Sequence, residues 1–227
     1  MHPLLQEKLR SNPVLPRVLP FLVFAGLTTA QGWFGPMSHY WMYAAKTLLG
    51  AALVWMVWPW VPEMRWRFSL RAVAVGVLVF AAWVGLDGLY PVWSSGPPKD
   101  PTWVPFKTFG AESPVAWGLV GLRILGTALV VPMIEEVFYR SFLYRYVASA
   151  EFEKLPLNHF SWKPMLATAA IFGIVHPDQW LAGILCAVAY QMLVIRTNRL
   201  GDAITAHAVT NLLLGLWVVW KGAWKFW

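Results

Sequence analysis

The sequence predicts an all-α protein: a polytopic membrane bundle of about seven transmembrane helices (six to eight) around a polar intramembrane cavity. Three observations carry this expectation. Of 227 residues, 58% are hydrophobic and 13% charged, with a mean hydropathy of +0.53; a soluble globular domain runs nearer 25% charged. Next, seven apolar segments follow one another, and at about 20 residues per span the chain has room for no more than eight. Finally, ionisable side chains interrupt those segments, where a charge at mid-bilayer costs at least a few kcal/mol and marks a functional site by default. Sixteen Trp suit the aromatic belts at membrane–water interfaces. The composition excludes an ordinary cytosolic enzyme. A single cysteine, Cys186, excludes an internal disulfide framework. The net charge of +7 is expected to reflect Lys and Arg in loops on one side of a membrane, with no nucleic acid as partner.

The first segment, about Val18 to Phe34, follows Lys8, Arg10 and Arg17 and lacks a clear small-residue cleavage site behind it. It reads as a retained helix, not a signal peptide. The second runs from about Tyr40 to Trp60 and stops at Pro59 and Pro62; the third runs from about Leu70 to Tyr90. A loop rich in Pro, Ser and Gly follows, Pro91 to Pro114, with Ser94-Ser95-Gly96-Pro97-Pro98 at its centre. The fourth segment, Val115 to about Val147, is longer than a bilayer is thick, and Gly126 and Pro132 offer a kink. The last three run from about Pro164 to Val175, Trp180 to Ile195 and Asp202 to Trp220. Residues 1–114 thus hold three helices and a linker, and residues 115–227 hold four, within one integral-membrane domain. Small residues four apart (Ala72 and Gly76, Ala81 and Gly85, Ala182 and Cys186) predict close helix packing.

With the N-terminus inside, twelve Lys and Arg fall on the inner side. Four, Lys99, Lys107, Lys221 and Lys225, fall outside, and Lys46 and Arg123 are set aside because they lie within segments. The positive-inside rule then predicts a cytoplasmic N-terminus and a C-terminus on the far side of seven spans.

Three polar clusters lie inside the apolar segments. In Glu135-Glu136-Val137-Phe138-Tyr139-Arg140, Glu136 and Arg140 are i and i+4, the favourable order for an ion pair. Glu135 points elsewhere, about 100° around the helix. Taken alone, the cluster is a buried ion network that only fixes packing, a functional site, or the end of a span lying in water. The second cluster, Phe172 to His176, places a His at a helix end before Pro177, where it either caps the helix or serves chemistry. In the third, His207 and Asn211 share a face of the seventh segment, where they either bond a neighbouring helix or serve a site. At 1.5 Å per residue all three clusters fall in the middle or inner half of a bilayer, so one water-containing cavity can hold Glu135, His176, His207 and Asn211.

Such a set suits hydrolysis. Glu135 can take a proton from water as general base. His207 or His176 can orient the water or protonate the leaving amine. Asn211 can donate to the oxyanion, a contact worth roughly 3–4 kcal/mol. Other intramembrane proteases fit less well: H-E-x-x-H is absent, Asp87 and Asp202 lie near segment ends, and Ser141 lacks a Gly-rich setting.

The three motifs in this order, E-E-x-x-x-R, F-x-x-x-H and H-x-x-x-N, resemble the CPBP family of intramembrane proteases. That family comprises type II CAAX prenyl endopeptidases and bacteriocin-processing enzymes and is also called the ABI family. The resemblance covers about Val115 to Leu216. The stretch Val131 to Leu143 is similar to CAAX-protease-related proteins that accompany bacterial exosortase systems. The resemblance implies an endopeptidase with a protein or peptide substrate, in a bacterial inner membrane. It implies that Glu135 is the water-activating base, that His176, His207 and Asn211 complete the site, and that Glu136, Arg140 and Phe172 support it. No metal or other cofactor is expected, with a zinc-dependent form as the alternative. Competing readings are a non-catalytic peptide-binding, immunity or scaffold protein, and a proton-coupled carrier, for which the repeat symmetry usual in carriers is missing.

Overall fold

The computed structural model describes residues 3–93 and 102–227. The centre of the Pro-rich loop, including Ser94 to Pro98, and Lys99 lie outside the described residues. Helices α1 (Pro3–Ser11), α2 (Leu15–Ala30), α3 (Ser38–Val57) and α4 (Leu70–Gly85) precede that loop. After it come a short α5 (Pro105–Phe109), the long α6 (Pro114–Ala148), α7 (Trp162–Ile174), α8 (Trp180–Thr197) and α9 (Leu200–Lys221). No strand occurs among the described residues. The seven apolar segments coincide with α2, α3, α4, α6, α7, α8 and α9.

Four of these are long and apolar enough to cross a membrane: Ser38–Trp60, Pro114–Ala148, Pro177–Thr197 and Leu200–Lys221. The first, third and fifth segments form helices of 16, 16 and 13 residues. At 1.5 Å per residue they reach about 20–24 Å, short of a ~30 Å hydrocarbon core.

Where Gly126 and Pro132 were expected to kink the fourth segment, the helix changes pitch. α6 is continuous but contains two π-helical stretches, Gly126–Val130 and Val137–Leu143, which bracket Glu135 and Glu136. Gly126 serves close approach: a Cβ there would lie 2.8 Å from Thr47 Cγ2 and 3.0 Å from the Tyr43 hydroxyl. In the π register the Val131 N–H donates to Gly126 O. The next carbonyl in that register, Thr127 O, would be answered by residue 132, which is proline and has no N–H.

Lipid offers no hydrophobic drive for helices to associate, so small residues and buried polar contacts set the packing. α4 and α9 run side by side in the same direction. A Cβ on Gly76 would meet Ala206 O at 2.4 Å, so only glycine allows this approach. Tyr190 of α8 donates to Thr210 Oγ1 at 2.6 Å, and Thr210 Oγ1 donates to Gly76 O at 2.8 Å, joining three helices. Two of the small-residue pairs therefore pack as expected, since Ala72, Ala182 and Cys186 are also buried. Ala81 and Gly85 are exposed, and a Cβ on Gly85 would meet nothing within 4 Å.

One end of the bundle carries a buried ion cluster. Arg17 reaches Glu63 Oε1 at 2.8 Å and Oε2 at 3.2 Å, Arg145 reaches Oε1 at 3.1 Å, and the Ser141 hydroxyl donates to Glu63. This joins the start of α2, the α3–α4 connection and the end of α6. At the same end Ser69 caps α4 and donates to Asp202, which also pairs with Arg199 in the first turn of α9. Asp87 lies at the opposite end, with Gln179 and Lys225, so the two Asp residues form no pair. Arg140, counted above with the inner charges, is instead buried inside the bundle.

Burial alone raises the Glu63 carboxyl. The hydrogen bond and charge of Arg17, with the Ser141 hydroxyl, outweigh it and hold the group below the usual carboxylate range. A depressed folded-state value contributes stability that is present above the unfolded value, about 4.3, and is lost as pH falls through the folded one. Thermal melts of detergent-purified protein between pH 7 and pH 3 should show wild type losing stability in that acid window. Glu63→Gln should melt lower at pH 7 and lose less on acidification. Parallel pH profiles for the two proteins would remove Glu63 from this account.

Candidate active site

Glu135 and Glu136 leave α6 about 100° apart and meet different surroundings. Glu136 is fully buried. Its Oε1 accepts from His207 Nδ1 at 2.9 Å, and its Oε2 lies 3.1 Å from Arg140 Nε. The second contact is charge to charge, since its angles do not make a hydrogen bond and both atoms lack a hydrogen-bond partner. The Arg140 guanidinium lies 5.4 to 5.8 Å from the ring centres of Phe172, Tyr139 and Tyr190. Glu136 therefore joins two motifs that the sequence separates by about seventy residues. The sequence foresees its pairing with Arg140 but not its bond to His207.

Glu135 is half-buried and faces a cavity of about 180 Å³, whose wall also includes His176, His207 and Asn211. The structure thus brings together all four residues that the sequence singles out. The hydrogen bonds fix how three of them are presented. His207 donates Nδ1–H to the Glu136 carboxylate, so Nε2 is its remaining polar atom. His176 donates Nδ1–H to Phe172 O at 2.8 Å and likewise keeps Nε2. Its ring stacks on Phe172 at 4.6 Å and meets the edge of Trp83 at 5.4 Å. Asn211 Nδ2 donates to Thr127 O at 2.8 Å. This is the carbonyl that Pro132 leaves without a backbone partner, and it fixes the amide orientation because a carbonyl only accepts. One N–H of Asn211 remains for another acceptor.

Sequence reasoning missed Arg123, Thr127 and Trp83, which share the cavity wall. Arg123 was legible by the same rule that found the Glu and His residues, an ionisable group inside an apolar segment. Thr127 acts through its backbone and Trp83 is one of sixteen Trp, so neither carries a sequence signal.

Among the described residues no group of three or more His, Cys, Asp or Glu side chains is arranged to hold a metal ion. Glu136 is committed to Arg140 and His207, and Asn211, an uncommon zinc ligand, has its amide nitrogen on Thr127.

Fold and cavity together define an integral membrane protein, a helical bundle with ionisable groups gathered between its helices. Residues 116–213 match the family model described as type II CAAX prenyl endopeptidase, Rce1-like. That stretch is somewhat less than half of the chain, and over it the chain is similar to the Rce1-like type II CAAX prenyl endopeptidases. The match opens in the first turn of α6, closes within α9 and contains every candidate residue. No curated protein and no solved structure matches the chain.

Proposed function

We propose that the protein is an intramembrane endopeptidase that cleaves a peptide bond with water activated by Glu135. One observation carries the reading: a half-buried carboxylate, two imidazoles each presenting Nε2 and an oriented amide share one cavity inside the Rce1-like stretch. Glu135 takes a proton from water as the water attacks the scissile carbonyl. His176, held among aromatic rings with no carboxylate bonded to it, orients that water through Nε2. The free N–H of Asn211 meets the oxyanion. His207 stands one turn away on the same helix face; its Nε2 takes up the proton from Glu135 and delivers it to the leaving amine. Glu136 compensates positive charge that develops on His207 and fixes its tautomer, a positioning role. The reading is metal-free, and no step in it runs through a metal. A place among exosortase-associated relatives rests on the stretch from Val131 to Leu143 alone.

The test is mass spectrometry of peptide pools incubated with detergent-purified protein. New fragments should appear with the protein and persist after chelation and dialysis. Pools bound but left intact would instead mean a peptide-binding protein. Activity lost on chelation and restored by zinc would overturn the metal-free mechanism.

The orientation belongs to the same proposal. The bundle end that holds Arg17, Arg145 and Arg199 is the cation-rich one, and the positive-inside rule puts it in the cytoplasm. α9 runs from that end to the other. A reporter fused after Trp227 should therefore signal from the periplasmic or extracellular side. A cytoplasmic signal would reverse the orientation.

A further inference from the structure

The cavity beside Glu135 is nearly shut. Its volume of about 180 Å³ falls below the ~300–1,000 Å³ of pockets that enclose an organic ligand. Toward the Arg17–Glu63 cluster its floor is closed by Tyr190, His207 and Thr210, all buried and bonded into the helix packing. Toward the opposite end of the bundle its cover is Phe226 and Trp227, which lie beyond the last long helix. α9 ends at Lys221, Gly222 turns the chain at a φ of +64°, and a single helical turn, Trp224–Phe226, follows. Among the described residues, the main-chain hydrogen bonds of 223–227 run only to the end of α9 and within the segment itself. Side chains alone fasten it to the other helices. On one flank Lys225 pairs with Asp87, just past α4, which also accepts from Gln179 at 2.9 Å. On the other flank the Trp227 ring lies 5.3 Å from Trp103, and the Trp224 ring lies 5.5 Å from Phe106 in α5. The segment thus crosses the cavity mouth from the end of α4 to α5. It is hinged at one glycine and latched by an ion pair whose lysine side chain is 58% exposed. Exposed ion pairs hold weakly, so this strap is the part of the cavity wall that moves at least cost.

We propose that residues 223–227 are a lid, which covers the cavity at rest and swings about Gly222 to admit the substrate through the bundle end opposite the Arg17–Glu63 cluster. The proposal rests on the endopeptidase reading and adds how that site is opened. Lids of this kind keep bulk water from a site between turnovers and open a path for the substrate. When only the open form binds, apparent affinity scales with the fraction of molecules that are open. Weakening the Lys225–Asp87 latch therefore opens the cavity more often and helps the substrate in.

The single cysteine, Cys186, is buried on the cavity wall and supplies a readout that needs no catalysis. The experiment uses the full chain in detergent. A charged methanethiosulfonate reaches Cys186 through water, and its labelling rate, followed by mass, reports how often the cavity opens. Lys225→Gln should raise that rate about 2–5-fold, the shift that loss of an exposed ion pair produces. The swapped pair, Asp87→Lys with Lys225→Glu, should return it to the wild-type rate. Salt at about 1 M should speed labelling of wild type but not of Lys225→Gln, because it screens the latch. Cleavage of a peptide pool by Lys225→Gln should gain the same factor in kcat/KM. Equal labelling of wild type with and without salt, and of Lys225→Gln, would overturn the lid and leave the protease reading intact. So would faster labelling with unchanged or slower cleavage, since the substrate would then enter elsewhere or need the strap as a fixed wall. Should no protein cut any peptide, the protease reading fails, and labelling still decides the lid: faster with the latch broken keeps it, equal rates sink it. The salt comparison on wild type needs no variant, so an unstable swapped pair leaves the test standing.

Discussion

Glu135→Gln should lose peptide cleavage by about 10²–10⁴-fold, the usual contribution of a general base, and should fold as wild type does. The side chain is half-buried at the cavity and makes no ion pair with a described residue. Gln keeps its shape and replaces a carboxylate that is dear to bury with an amide that is cheaper. Melting temperature should therefore hold or rise while turnover collapses. The measurement is a melt and a peptide assay on the same detergent preparation. Cleavage near the wild-type rate would mean that Glu135 is not the base, and the hydrolytic mechanism would fall with it. The neighbouring Glu136→Gln should behave differently although the residues are adjacent. Its amide can still accept from His207 through oxygen, but its NH2 then faces Arg140, donor against donor. Stability and turnover should fall together.

The bundle was legible because lipid imposes a simple code: long apolar runs become helices, and each run in the sequence did. Their ends were less legible. Leu70 to Tyr90 reads as one apolar stretch, yet α4 stops at Gly85 because Gly88 adopts positive φ and the chain turns. The four candidate site residues were legible because charge and imidazole are rare in such a background. What the sequence withheld was their mutual bonding. Glu136 to His207 crosses about seventy residues, and Asn211 to Thr127 O depends on a carbonyl freed by a change of helical register. Helix periodicity fixes which residues share a face, but not which backbone carbonyl Pro132 leaves open. Arg123 was visible and set aside, because counting loop charges for orientation gave no role to a cation within a span.

The largest stability effect is expected at Arg140. Its guanidinium is 2% exposed, 3.1 Å from Glu136 Oε2 and stacked among three aromatic rings. Arg140→Ala removes the only cationic side chain within 4 Å of Glu136 among the described residues, apart from His207. Breaking a buried pair by deleting one partner costs about 3–5 kcal/mol. For a chain of this size that corresponds to a fall of about 6–20 °C in melting temperature, with lower yield. Turnover should drop as well, because the carboxylate that holds His207 in its tautomer would shift or take up a proton. Removing both charges should be milder. In the double variant Glu136→Gln with Arg140→Met no ion is left unpaired, so the two single losses should exceed the loss of the pair. The cycle is read by thermal melts of wild type, Glu136→Gln, Arg140→Met and the double variant in one detergent. If Arg140→Ala melts as wild type does while cleavage disappears, Arg140 acts on the substrate. If the double variant loses as much as the two singles added together, Glu136 and Arg140 stabilise the bundle independently and the ion pair is not what holds this part of the site.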